Sequence, residues 1–302
     1  MSRIHSTPRH THWGVLWITL AAILWGTVGL ASRALFQLAE TTPLSIGFAR
    51  MAIAALTLNI ICWVVNRRHM FAVRRTDTVW MILIGVTMAI YQVCFFAAIA
   101  RVGVAITVLV TLCSAPVLVA LLERVFLGQQ LTRRVALALL CALGGTSLLV
   151  GSGSSVSSDM LQTLDGALLA LGASFGFALM VLCSRMLADR YHPLIPITWG
   201  LSASAFLLLP FVLAFGLAID FPLEGWLVLL YLGAVPTALA FVLFLVGVRH
   251  VTATVASIVT LLEPLTATIL AALLFGERFG TAGAAGAGLL LLAIMLLIRR
   301  SA

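Results

Sequence analysis

The chain has 302 residues, of which 62% are hydrophobic and only 9% charged. Soluble domains run at about 45–50% apolar and about 25% charged, so this composition excludes a cytosolic enzyme, a disordered chain and a nucleic-acid-binding domain. The formal charge of +8 comes entirely from arginine, because lysine is absent.

In chain order, apolar runs fall near 13–37, 44–65, 79–100, 103–123, 134–151, 164–187, 194–218, 224–248, 251–274 and 280–298. Each approaches the roughly 20 residues that a helix needs to cross a bilayer. The runs are continuously apolar, not alternating over about ten residues, which excludes a transmembrane β-barrel. The first run follows Arg3 and Arg9 as a signal peptide would, but it is too long for such a core and is expected to be a true span. With the N-terminus placed in the cytoplasm, fourteen arginines lie on the cytoplasmic side. Only Arg33, Arg101 and Arg278 lie outside, with Arg50 within the second span. This positive-inside bias predicts that both termini are cytoplasmic. Cys62, Cys94, Cys113, Cys141 and Cys183 all fall in spans and are expected to be free packing residues.

A shift of 148 residues superposes spans three to five on spans eight to ten. It matches Gly85 with Gly233, Phe96 with Phe244 and Arg101 with Arg249, and also Pro116 with Pro264 and Gly128 with Gly276. Five spans per half is an odd number, so the second half enters the membrane inverted. The predicted fold is therefore an all-α integral membrane protein of ten transmembrane helices, built as two inverted five-helix repeats. Residues 1–151 form the first repeat with a short N-terminal tail, 152–163 a linker loop and 164–302 the second repeat. Inverted repeats are an architecture of secondary transporters, with the binding site near the midplane.

Matched residues are expected to serve the scaffold. Pro116 and Pro264 each remove a backbone donor in mid-span, which predicts helix bends and free carbonyls at Leu112 and Thr260. Polar residues found in only one half are better candidates for substrate chemistry. Glu263 faces Ala115 in the repeat and shares a helix face with Ser257 and Thr260. Two roles fit it: a cavity carboxylate that meets a substrate ammonium or carries a proton, or a structural carboxylate bonded near the proline. Tyr91 and Gln92 face Leu239 and Ala240, and Thr87, Tyr91 and Phe95 recur at i+4 spacing. That face suits a small-solute pocket, although helix–helix hydrogen bonding explains the same residues. Trp25 lies deep enough in span one to line the cavity or to pack, while Trp13, Trp80 and Trp226 begin their spans as interfacial anchors. Thr107, Thr111 and Ser114 form a stripe that fits either lumen or packing. Arg50 is expected to snorkel to the interface or to pair with Glu40.

Gly172-Ala173-Ser174-Phe175-Gly176 matches G-x-S-x-G formally, but all six histidines lie at span ends or in loops, so no base is expected near Ser174. No zinc-protease motif, phosphate-binding loop or metal-ligand cluster is present in the sequence. The chain is thus expected not to be an enzyme and to need neither cofactor nor metal.

Leu261-Leu262-Glu263-Pro264-Leu265, followed by Leu274-Phe275-Gly276-Glu277-Arg278, resembles the signature of EamA-type members of the drug/metabolite transporter superfamily. Ser114-Ala115-Pro116 with Phe126-Leu127-Gly128-Gln129 resembles the same pattern in the first half, Gln129 replacing the usual Glu. Within that superfamily the chain looks most like YddG-type bacterial amino-acid exporters. The resemblance implies a multi-pass protein of the bacterial inner membrane that exports small metabolites, amino acids foremost, by alternating access. The expected partners are a small-molecule substrate, membrane lipid and protons, with no nucleic acid, and the expected state is a monomer or weak homodimer. A passive channel and a multidrug carrier of the same fold are the alternatives.

Overall fold

The computed structural model describes residues 8–70, 72–151, 160–275 and 281–298. Most of the expected linker, the Gly276-Glu277-Arg278 part of the motif, and Arg3, Arg299 and Arg300 lie outside the described residues. Every regular element among the described residues is helical. The helices are α1 (Pro8–Gly26), α2 (Val28–Leu38), α3 (Pro43–Asn66), α4 (Arg75–Leu127), α5 (Arg133–Gly151) and α6 (Met160–Leu187). They continue with α7 (Leu194–Phe215), α8 (Leu223–Gly233), α9 (Ala240–Val248), α10 (Ala253–Val259), α11 (Leu262–Phe275) and α12 (Thr281–Ile298). Among the described residues, nine spans are long and apolar enough to cross a membrane, several of them built from two of these helices. Helix α5 stands where the fifth span was expected.

The outer surface is inverted relative to a soluble protein. Phe206 is 76% exposed and Leu273 75%, and large apolar side chains line the perimeter of most helices. Such a surface is stable against lipid and not against water. Inside, one apolar cluster runs through α1, α3, α4, α6, α7 and the second-half helices, with a smaller one around Leu35, Ile46, Phe221 and Leu232.

Small residues set the closest approaches. Helices α4 and α6 form the most extensive pair, followed by α5 and α12. A Cβ on Gly176 would lie 2.9 Å from the Thr87 carbonyl oxygen and 3.1 Å from the Tyr91 nitrogen. The Thr107–Thr111–Ser114 stripe belongs to this same packing. Thr107 donates to the Gly103 carbonyl, Thr111 to Ala170 and Ser114 to the Ser174 hydroxyl at 3.0 Å. Ser174 is fully buried at this crossing. The five cysteines are free.

Three spans are interrupted: span one at Thr27, span eight in a π-helical segment that contains Pro236, and span nine at Thr260–Leu261, beside the carbonyl that Pro264 was expected to free. A straight 53-residue α4 would be about 80 Å long, more than twice the hydrocarbon thickness. It turns at Gly103 (φ 78°, ψ 171°), a conformation that a side chain would strain. This makes two spans, Arg75–Val104 and Ile106–Leu127. Pro116 lies within a run that stays helical. Span eight carries a π-helical segment at Ala234–Leu239, between α8 and α9. Span nine breaks at Thr260–Leu261, so Pro264 is the third residue of α11, where a missing N–H costs nothing. The Thr260 carbonyl, expected to be free, accepts from the Glu263 N–H at 3.0 Å.

Polar ties join the two halves at both ends of the bundle. At one end, the buried Glu123 carboxylate at the end of α4 accepts from the backbone N–H groups of Ala253 and Thr254, each at 2.8 Å, and from the Thr254 hydroxyl at 2.6 Å. It thereby supplies the acceptors that the first turn of α10 lacks. Near it, buried Asp77 accepts from Arg190 at 2.7 Å and from the Tyr191 hydroxyl at 2.8 Å, and Arg249 donates to the Tyr191 carbonyl. At the other end, Thr41 donates to the Ala218 carbonyl at 2.7 Å and Ser45 accepts from its N–H at 3.0 Å.

Replacing Gly176 with valine should destabilise the protein by about 1–3 kcal/mol, because backbone atoms stand where the new side chain must go. Gly288→Ala, with nothing within 4 Å of its new Cβ, should leave the melting temperature in detergent unchanged or slightly raised. Glu123→Ala should cost about 2 kcal/mol or more through the loss of charge-assisted bonds. Glu123→Gln should recover part of that loss in the same thermal assay.

Candidate functional site

The site forms where the break in span nine packs against α1 and α4, with Arg50 of α3 in electrostatic reach. Leu261 and Glu263 take local partners three residues back, Ile258 and Thr260, so the interruption leaves no stranded N–H at these positions. Glu263 then occupies the first turn of α11, where a carboxylate is favoured by the helix dipole. Gly26, at the end of α1, allows close approach here: a Cβ on it would lie 2.9 Å from the Glu263 carbonyl and 2.6 Å from the Thr266 Cβ. The Tyr231 hydroxyl donates to Thr27 at 2.9 Å, and Thr27 donates to the Leu24 carbonyl, which secures the step between α1 and α2.

Opposite stand Arg50 on α3 and Tyr91 on α4. Arg50, Tyr91 and Glu263 lie within electrostatic reach of one another. Each is half-buried, although each is set among packed helices. The three thus bring a cation, a phenol and a carboxylate to one region among the packed helices. No ion pair joins Arg50 to Glu263. The Arg50 Nε is buried without a hydrogen-bond partner. This corrects the expectation of an interfacial Arg50 or a pair with Glu40: Arg50 faces the interior, and Glu40 is exposed.

The rest of the wall is aromatic. The Tyr91 ring stacks on Phe95 with centroids 5.5 Å apart and meets Phe177 of α6 at 6.2 Å. Gln92, only 1% exposed, has a side-chain nitrogen with no partner. Gly47 of α3 makes room for it, since a Cβ there would lie 3.0 Å from that nitrogen and 2.7 Å from Phe96.

Of the residues singled out from sequence, the structure brings Glu263, Tyr91, Gln92 and Phe95 to this region. It turns three others away. Thr87 is buried, and its hydroxyl donates to Ile84 of its own helix at 2.9 Å. Thr260 is likewise buried and donates to the Ser257 carbonyl at 2.8 Å. Trp25 packs in the core against Phe241 and Phe244, with centroids 5.2 and 5.5 Å apart. Sequence reasoning missed the inward Arg50 and Phe177. The signal for Arg50 was present in the i, i+3 spacing from Gly47, which shares its helix face. Among the described residues, no three His, Cys, Asp or Glu side chains gather as a metal would require. The arrangement sets a cation and an anion that are not ion-paired with each other near the Tyr91 end of an aromatic cluster, which suits reversible binding of a small polar organic molecule.

Comparison with known proteins agrees with this architecture. The uncharacterized transporter YwfM of Bacillus subtilis (strain 168) is 29% identical over 282 residues, covering 93% of this chain and 92% of its own length. The uncharacterized inner membrane transporter YicL of Salmonella typhimurium is 28% identical, with 95% of each chain covered. The pseudopaline exporter CntI of Pseudomonas aeruginosa (strain UCBPP-PA14) is 28% identical over 225 residues, 74% of each chain. A solved crystal structure superposes with a TM-score of 0.81 at 19% identity, covering 94% of this chain and 95% of the other, which shows a shared fold. The description of the EamA-like transporter family matches residues 12–151 and again 164–299. The chain is a multi-pass membrane protein and belongs to the EamA-like transporter family.

Proposed function

We propose that the protein is a secondary transporter of the bacterial inner membrane that exports small metabolites, amino acids foremost, by alternating access around the cavity at Glu263. In this reading it is not an enzyme. It has ten membrane helices in two inverted five-helix repeats, with both termini cytoplasmic. Helix starts at Arg75 and Leu223 are 148 residues apart, in support of the duplication. The arginine distribution supports the orientation. Relatives named as transporters, among them an inner-membrane transporter and an exporter, support the direction and the compartment. The likeness to YddG-type amino-acid exporters belongs to this reading as well.

One observation carries it: Glu263 retains accessible surface in the first turn of α11, just beyond an interrupted span, facing Arg50 and Tyr91. Interrupted spans that present a charged or polar residue at a cavity are how transporters of inverted-repeat design build a site that faces each side in turn. A carrier fits better than a channel, because Glu263 and Tyr91 have the apolar repeat partners Ala115 and Leu239. Glu263 is assigned to the substrate ammonium and to proton exchange.

In proteoliposomes loaded with the twenty amino acids, saturable efflux of a subset should appear and should respond to an imposed pH gradient. Glu263→Gln should lower that flux about tenfold or more, the scale of one charge-assisted bond, and flatten its pH response while the melting temperature holds. Unchanged, still pH-dependent flux in the variant would make Glu263 a structural residue.

A further inference from the structure

We infer that the cavity is a receptor for a zwitterion, with Arg50 receiving the carboxylate, Glu263 the ammonium, and the Tyr91–Phe95–Phe177 rings the side chain. This deepens the substrate reading above and rests on it.

The placement of Arg50 is the starting point. It lies three residues after Gly47, on the same face of α3, and Gly47 is the point where α3 touches Gln92 and Phe96 of α4. On the other side, a Cβ on Gly233 of α8 would lie 3.2 Å from the Arg50 carbonyl, so the backbone of this turn is wedged between α4 and α8. The side chain is thereby directed among helices and not toward lipid headgroups. A guanidinium inside a membrane protein is costly unless it meets an anion. Among the described residues, Glu263 is the carboxylate whose charge reaches Arg50, yet the two make no ion pair. The buried Nε has no partner among the described residues.

Two opposite charges that face each other without contact leave each with unspent capacity. A singly charged ligand would satisfy one and leave the other unpaired. A zwitterion satisfies both, and the assembly of ligand, arginine and glutamate keeps the net charge of the ligand at zero. The planar fork of arginine matches a carboxylate in two parallel bonds, which an ammonium on a flexible stem does not reproduce. The unpartnered Gln92 nitrogen, 1% exposed and on the same α3-facing side, offers a further donor to the carboxylate. The stacked rings of Tyr91 and Phe95, with Phe177 beside them, form a flat apolar surface suited to an aromatic or large aliphatic side chain. The charge order also sets orientation: the carboxylate end toward α3, the ammonium end toward α11.

The test uses the full-length protein purified in detergent and three probes that share the phenethyl skeleton and differ in which charged groups they carry: L-phenylalanine, phenethylamine without the carboxylate, and 3-phenylpropanoate without the ammonium. Calorimetric titration should show wild-type preference for phenylalanine over either analogue of about tenfold or more, the scale of one lost charge-assisted bond. Arg50→Gln should abolish the preference over phenethylamine while keeping that over 3-phenylpropanoate. Glu263→Gln should do the reverse. Arg50→Lys, which keeps the charge and loses the fork, should fall between, and it serves if Arg50→Gln does not fold. Equal binding of the three probes by the wild type, or no binding of any, overturns the assignment, as does an Arg50→Gln variant that still discriminates. Zwitterion preference without flux in proteoliposomes would instead overturn the transporter reading and leave this one standing.

Discussion

Lipid offers no hydrogen bonds, so the backbone must satisfy itself, and this constraint decides where span nine can break. The turn at Thr260–Leu261 survives in a membrane because the Thr260 amide finds the Ala256 carbonyl and the Leu261 amide the Ile258 carbonyl. The new helix start then presents its dipole to the Glu263 carboxylate, which stabilises a charge that the same depth would otherwise disfavour. The Gly26 approach and the facing Arg50 follow from that placement. The same constraint acts at the start of α10, where Glu123 from the first half supplies the acceptors. A carboxylate thus serves each part of the interrupted span: Glu123 reaches the first part from a neighbouring helix, and Glu263 stands on the second.

Span positions were legible because bilayer thickness forces long apolar runs whatever the packing, and observed span limits follow the expected ones within a few residues. Glu263 and Tyr91 were legible for a related reason: an ionisable or hydroxyl group deep in such a run has few uses. The interruptions were legible only in part. Proline is the loudest helix breaker in a sequence, and it pointed to Pro264 and Pro116. The break at Thr260–Leu261 falls beside the carbonyl that Pro264 was expected to free, and the turn at Gly103 falls between the third and fourth apolar runs, whereas the run around Pro116 stays helical and the breaks at Thr27 and Ala234–Leu239 were not foreseen. Which residues break a helix depends on what neighbouring helices can receive, and that is a tertiary fact.

Side-chain direction was the other gap. Thr87 and Thr260 lie on suitable helix faces, but each hydroxyl turns to a carbonyl of its own helix. Periodicity assigns a face and leaves the rotamer open. Arg50 lies near the start of span two, a position where arginine usually reaches for the interface. The wedging of α3 between α4 and α8 decides otherwise. Phe177 carried no signal at all, being one of 16 phenylalanines in an apolar chain.

Gly103 has a mechanical consequence for the whole bundle. Two consecutive spans meet there with no loop to spare, so they act as the arms of a pair of tongs joined at a rivet. Their ends at the rivet cannot part. Any spreading between them is confined to the far tips, and those tips carry Asp77 and Glu123, each gripping a segment of the second half. The pivot and the jaws of this tool therefore lie at opposite ends of the same two spans.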